Sequence, residues 1–282
     1  MSPSTPISAA LDEGGRGERA RVTFLGTGTS HGVPMIACDC PTCTSGDPRD
    51  QRLRPSALVE LPGGRTLLID AAPDLRAQAL RYGVRRVDAI LFTHAHADHV
   101  LGLDETRRFT AIQGCPMPCY GDPETIAEVR RVFAYAFRSV QQGGGVPQLE
   151  LIPVTGPFQA AGQWVVPVPV LHGELPIYGY RIGDFAYLTD CSRIPESSWP
   201  LLAGVRVLVI DALRDVPHPT HFTVEQALEA AARAAPERAL LTHLSHDLGH
   251  AETSRRLPAN VELAYDGLVL EIDPSKASSR EP

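Results

Sequence analysis

Short apolar runs broken by Gly- and Pro-rich turns dominate this chain, and most are too short for helices, so the pattern predicts strands. Arg21–Leu25 (RVTFL) is the first, ending in the tight loop Gly26-Thr27-Gly28-Thr29-Ser30. Ala57–Leu61 and Thr66–Ile69 read as a hairpin turning at Pro62-Gly63-Gly64. Val87–Phe92 (VDAILF), Val205–Ile210 and Ala239–Leu241 have the apolar density of buried strands. Leu149–Val154, Trp164–Leu171, Tyr178–Ile182 and Phe185–Leu188 are further strand-like runs. Helical spacing occurs at Leu75–Tyr82 and at Pro123–Val140, where Pro occupies the first turn. It returns at Thr223–Ala235, with Thr223 as N-cap. Gly143-Gly144-Gly145 marks a flexible break.

Hairpin-ordered strands with interspersed helices, no fixed-period repeat and no linker predict a single layered α/β domain over residues 21–272. Residues 1–20 and 273–282 read as tails. A length of 282 residues would by itself allow two domains. The candidate ligands below run from Cys38 to His246, however, and one site gathered from so much chain requires one domain.

Apolar residues make up 43% and charged residues 21%, enough for a core and against global disorder. The net charge of −7 argues against a surface coated for nucleic acid. No stretch approaches the roughly 20 apolar residues of a membrane span. The polar N-terminal segment lacks the basic start and apolar run of a signal peptide, so a cytoplasmic location is expected. The six Cys are then expected to be thiols or metal ligands.

Metal chemistry is the strongest signal. Directly after VDAILF comes Thr93-His94-Ala95-His96-Ala97-Asp98-His99, four ligand-type side chains within six residues. Imidazole and carboxylate suit zinc, iron or manganese. In an extended turn His94 and His96 project to one side, and Asp98 and His99 can face a second metal. His172, Asp190 and His243 each follow a strand-like run. Each alone is more often structural; their shared placement makes them candidates together. A second cluster, Cys38-Asp39-Cys40-Pro41-Thr42-Cys43, places three thiols at C-x-C-x-x-C spacing, which suits a tetrahedral zinc with one ligand still to find. His246, three residues after His243, is the candidate. Cys115, Cys119 and Cys191 read as ordinary packing cysteines, and His218 and His250 as surface.

The T-H-x-H-x-D-H motif followed by His, Asp and His resembles the metallo-β-lactamase superfamily of hydrolases over roughly residues 21–272. The resemblance implies a four-layer αββα sandwich with metals at one edge of the facing sheets. It implies that His94, His96 and His172 hold one divalent metal, that Asp98, His99 and His243 hold the other, and that Asp190 bridges them. The segments G-T-G-T-S-H-G-V-P, C-D-C-P-T-C, T-H-L-S-H and Y-D-G together resemble the branch of the phosphoribosyl 1,2-cyclic phosphodiesterase of bacterial phosphonate degradation. In that branch the zinc held by three Cys and one His is structural, and a dinuclear manganese-type or zinc site does the chemistry.

The expected activity is hydrolysis of a small phosphodiester, a cyclic ribose phosphate among the candidates, by a metal-bridging hydroxide. Asp98 and His221 are the candidate catalytic groups. His221, in P-T-H-F-T before the Thr223 helix, resembles the family's general acid, with a capping His as the alternative. Asp70, in L-L-I-D, resembles the Asp that hydrogen-bonds the histidine loop. Arg107 and Arg108 could contact phosphate, although paired Arg on a helix is more often a solvated face. His31 sits in the glycine loop and could border the pocket. The rivals are an RNase Z-like tRNA-processing nuclease, a protein like the pyrroloquinoline-quinone-biosynthesis B protein, and a non-enzymatic metal-binding scaffold. A homodimer is expected by resemblance alone.

Overall fold

The computed structural model describes residues 19–138 and 145–275. In chain order the elements are β1 (Ala20–Gly26), β2 (Ser56–Glu60), β3 (Thr66–Ile69), α1 (Leu75–Tyr82), β4 (Ala89–Leu91), α2 (Ala97–Val100), α3 (Arg107–Gln113), β5 (Met117–Gly121), α4 (Pro123–Val132) and β6 (Leu149–Pro153). There follow β7 (Phe158–Ala160), β8 (Gln163–His172), β9 (Leu175–Ile182), β10 (Phe185–Leu188), β11 (Val207–Asp211), α5 (Val224–Ala234), β12 (Arg238–Thr242), α6 (His250–Ser254), β13 (Val261–Leu263) and β14 (Val269–Ile272). One seven-stranded sheet has the order β14-β1-β2-β3-β4-β5-β6, the other β13-β12-β11-β10-β9-β8-β7.

Strict alternation along the strands makes the layers. Val22, Phe24, Val59, Leu67, Ile69 and Leu91 of the first sheet share one core with Tyr180, Ile182, Phe185, Tyr187, Val209 and Leu240 of the second. Their neighbours Leu58, Leu68 and Ile90 point the other way, under Leu75 of α1, Phe109 of α3 and Val129 of α4. On the opposite outer face Leu208, Ile210 and Leu241 lie under Val224, Ala227 and Ala231 of α5. Strands covered on both faces read as nearly continuous apolar runs, which is why VDAILF and VRVLVI look as they do. The result is an α/β fold, a four-layer αββα sandwich. Deleting one of these central side chains, as in Leu68→Ala, would cost about 2–5 kcal/mol.

Strand direction places the site. β3 and β4 are parallel, as are β10, β11 and β12, and β8 runs with β10 because β9 is antiparallel to both. The C-terminal ends of β8, β10, β11 and β12 therefore share one edge of their sheet. The loop after β4 is fastened there from the other sheet: Tyr178 donates its N–H to the Thr93 carbonyl (3.0 Å), and the Tyr180 hydroxyl donates to the Phe92 carbonyl (2.6 Å).

Several elements differ from the sequence reading. The first strand starts at Ala20, one residue inside the expected tail. The expected helix at Pro123–Val140 ends at Val132 and gives way to a 3-10 turn at Ala134–Phe137. Phe133, Tyr135 and Phe137 are spaced two apart and cannot share one α-helical face. Phe133 joins the core beneath α3, and the Tyr135 hydroxyl donates to Asp104 instead. Residues 139, 140, 143 and 144, along with most of both tails, lie outside the described residues. β5 had no sequence signal because Pro116 and Pro118 argue against a strand. Yet Met117, Cys119 and Gly121 alternate inward. His250 is not on the surface: it is 4% exposed at the start of α6, its N–H donated to Asp50. No helix among the described residues is long and apolar enough to cross a membrane.

Candidate functional site

The strand ends converge as one cluster. β4 leads through Phe92 and Thr93 to His94 and His96, and α2 then carries Asp98 and His99. His172 ends β8, Asp190 lies just past β10, and His243 follows β12. Ligand atoms of His94, His96 and His172 lie within 4.8 Å of one another, as do those of Asp98, His99, Asp190 and His243. Asp190 also lies within that range of His172 and His221, so it stands between the two groups.

Asp70 sets the histidine loop. Fully buried after β3, it accepts from the Thr93 N–H and hydroxyl (both 2.8 Å) and pairs with His99 Nδ1 (2.7 Å). That pairing leaves His99 Nε2 for a ligand, 3.1 Å from Asp190 Oδ2 and 3.4 Å from Asp98 Oδ2. His172 Nδ1 is likewise engaged by the Thr220 carbonyl (2.8 Å), which frees its Nε2. Asp70, Asp190 and His243 all have left-handed backbone, at φ 61°, 53° and 59°. Non-glycine residues seldom adopt it, and strain of this kind gathers at functional sites.

The donor set fits divalent metal. His94 Nε2, His99 Nε2 and His243 Nε2 are buried without a hydrogen-bond partner. Nitrogen and oxygen ligands at metal-bonding distance stand about 3.0–3.4 Å apart around one ion. The His99–Asp190 (3.1 Å) and His243–Asp190 (3.3 Å) separations match. Burial, with the charge of neighbouring His99, pushes His94 well below the usual imidazole range, toward the neutral form a metal needs. Burial opposes charge on Asp98, but His99 and His243 overrule it and hold the carboxyl below its usual range.

At the second cluster, His246 Nδ1 lies 3.2 Å from Cys38 Sγ, 3.4 Å from Cys40 Sγ and 3.8 Å from Cys43 Sγ. The nitrogen–sulfur edge of a tetrahedral zinc site is about 3.5 Å. Backbone N–H groups of Cys43 and Met35 donate to Cys40 Sγ (3.4 Å) and Cys43 Sγ (3.2 Å). The Cys43 N–H brings the Cys40 thiol down to about 6, while burial pushes Cys43 up to about 11. The buried Arg52 holds the His246 loop, donating to the Ser245 (2.8 Å) and Leu248 (2.6 Å) carbonyls and pairing with Asp50.

A cavity of about 260 Å³ opens over His243 and His221, with His31, Arg214, His218 and His246 in its wall. His218, expected at the surface, is thus a cavity residue, its ring 5.1 Å from that of His221. Arg107 and Arg108 are not brought to this cavity: both are exposed, and Arg107 pairs with Asp104. Cys119 and Cys191 are buried and Cys115 is exposed, and none of the three belongs to either ligand cluster, although Cys191 directly follows Asp190. Asp211 escaped the sequence reading, and Asp266 entered it only within a quoted motif, without a role. Asp211, closing β11, lies 3.3 Å from His221 Nδ1 and 3.6 Å from His243 Nδ1. Its signal was available, an acid ending a buried strand. Asp266, in Y-D-G, accepts from the Thr27 hydroxyl (2.8 Å) and the Leu53 N–H (2.7 Å), tying down the glycine loop.

Comparison with known proteins agrees with this fold. Residues 65–244 match the β-lactamase superfamily domain, and the chain belongs to that family of metal-dependent hydrolases. Within it, the chain is a metallo-β-lactamase-fold enzyme of the PhnP branch. A crystal structure described as a new diphosphatase from the PhnP family is 47% identical, with a TM-score of 0.84, covering 90% of this chain and 97% of that one. An octanoyltransferase of Porphyromonas gingivalis is 40% identical over 90% of this chain, but the chain spans only 52% of that protein. A coenzyme PQQ synthesis protein B of a Methylobacterium species is 38% identical over 67% of this chain and 71% of its own length.

Proposed function

We propose that this enzyme hydrolyses small phosphodiesters, cyclic ribose phosphates and diphosphate esters being the candidate classes, with manganese or zinc at the two adjoining ligand groups and a structural zinc at the cysteine cluster. The observation that carries the reading is Asp190, standing between the His94–His96–His172 and the Asp98–His99–His243 groups beside a cavity that also holds His221. Two divalent cations held there supply Lewis-acid charge and an acidified water. The chain's own residues do the rest. Asp70 and Thr93 fix the ring orientations, and Asp211 faces Nδ1 of His221, leaving its other nitrogen toward the cavity to protonate the leaving oxygen. The diphosphatase neighbour supports phosphoester chemistry at this framework.

Against a tRNA-processing role stands the net charge of −7, which disfavours a nucleic-acid partner. A metal-binding scaffold would not need His221 in the cavity wall with Asp211 buried behind it. The test is an activity screen with manganese or zinc, using bis(p-nitrophenyl) phosphate, cyclic ribose phosphates, a diphosphate diester, a tRNA precursor and a thioester. Hydrolysis of phosphodiesters is expected. Hydrolysis of the thioester alone would overturn the reading, and cleavage of only the tRNA precursor would transfer it to the nuclease.

A further inference from the structure

The ligand groups separate two cavities of opposite electrostatic character. Beside His94 and His96, a cavity of about 340 Å³ has Asp122, Glu124 and Glu128 in its wall. Beside Asp98, a cavity of about 430 Å³ is walled by His31, Met35, Ile36 and Arg54, and Asp98 is the one carboxylate among its described lining residues. That volume suits a small ligand. An anion extending from the ligand groups is repelled on the first side and finds a cation on the second.

Arg54 is built for this. Asp74 accepts its backbone N–H (2.9 Å) and stands 3.0 Å from its Nε, which fixes the guanidinium from behind. A guanidinium has five N–H donors, more than one carboxylate occupies. The side chain keeps 30% of its exposure. The glycine loop packs along it: a Cβ on Gly32 (φ 66°) would lie 3.6 Å from Nη1. Ile36, 93% exposed at the rim, offers an apolar surface to the organic part of a ligand.

We propose that Arg54 binds a second phosphoryl group of the substrate, next to the one held at the metal ligands, and so selects diphosphate-containing substrates over simple diesters. The planar fork of Arg matches two phosphate oxygens at once, which Lys cannot do. The assignment rests on the phosphodiesterase reading above.

The experiment measures Kd of the manganese-loaded protein for AMP and for α,β-methylene-ADP, which share a nucleoside and differ by one phosphoryl group. Wild type is expected to prefer the diphosphate analogue. In Arg54→Gln that preference falls at least about tenfold, and in Arg54→Lys, which keeps charge but not the fork, it falls part-way. The kcat/KM ratio of a diphosphate diester to bis(p-nitrophenyl) phosphate falls in parallel. A preference unchanged in both variants overturns the assignment. Wild-type turnover across the phosphodiester screen separates the two readings: if no phosphodiester or diphosphate diester is hydrolysed the phosphodiesterase reading fails and takes this one with it, and if one is, an unchanged preference removes only the role of Arg54.

Discussion

Asp211 faces two histidines at once, its Oδ2 3.3 Å from His221 Nδ1 and its Oδ1 3.6 Å from His243 Nδ1. The His221 and His243 rings stack in front of it, 4.8 Å apart and 14° from parallel. One buried carboxylate thus stands behind both a candidate metal ligand and the candidate proton donor. Such supporting partners are typically worth about 10–100-fold in activity or metal affinity. Asp211→Asn, which keeps the shape and the acceptor for the Phe222 N–H, is therefore expected to lose activity in that range while remaining folded. Turnover within twofold of wild type, with full metal content, would remove Asp211 from this role.

His221 itself is testable by leaving group. His221→Ala is expected to lose about 10²–10⁴-fold on a diester with a poor alkoxide leaving group. On an activated nitrophenyl ester, which needs little protonation, the loss should be much smaller. Equal losses on both substrates would contradict proton donation by His221.

The cysteine cluster joins the loop around Cys38–Cys43 to the His246 loop, more than two hundred residues on. A metal there contributes to folding free energy outright. Cys40→Ser is expected to lower zinc content by about one ion per chain and to lower the melting temperature, the loss of metal exceeding any change in kcat. If zinc content and melting temperature both stay at wild-type values, the site is not a structural zinc.

Asp266 gives a pH signature away from the metal ligands. Burial raises its carboxyl to about 7, against about 3.9 in an unfolded chain. Between those values the folded state holds a proton that the unfolded state releases. The stabilisation is fully present below the unfolded value and is lost as pH rises through about 7. Asp266→Asn should therefore flatten the decline of melting temperature between pH 5 and pH 8 relative to wild type. Parallel curves for the two proteins would show that Asp266 is ionised throughout.

Much of the layered core was legible in the sequence, because a strand covered on both faces is apolar at nearly every position, as in VDAILF and ALLT. β5 was not, because Pro118 within it and Pro116 just before it contradict local propensity while its inward residues pack. Nor was the end of α4, which depends on Tyr135 reaching Asp104, a residue of another element.

The sequence by itself determined which side chains could bind metal: the H-x-H-x-D-H loop and the C-x-C-x-x-C cluster are local, and spacing alone makes their chemistry recognisable. Tertiary structure decided which strand ends meet. His172, Asp190, Asp211 and His243 share an edge only because β8, β10, β11 and β12 run the same way. The left-handed turns at Asp70, Asp190 and His243 use residue types that tolerate that region better than most non-glycine residues, yet no local pattern marks them in advance. Tertiary packing turned His250 inward, set His218 in the cavity wall, and placed Arg54, not Arg107 or Arg108, beside Asp98. Those placements depend on contacts between segments far apart in the chain, which no local pattern records.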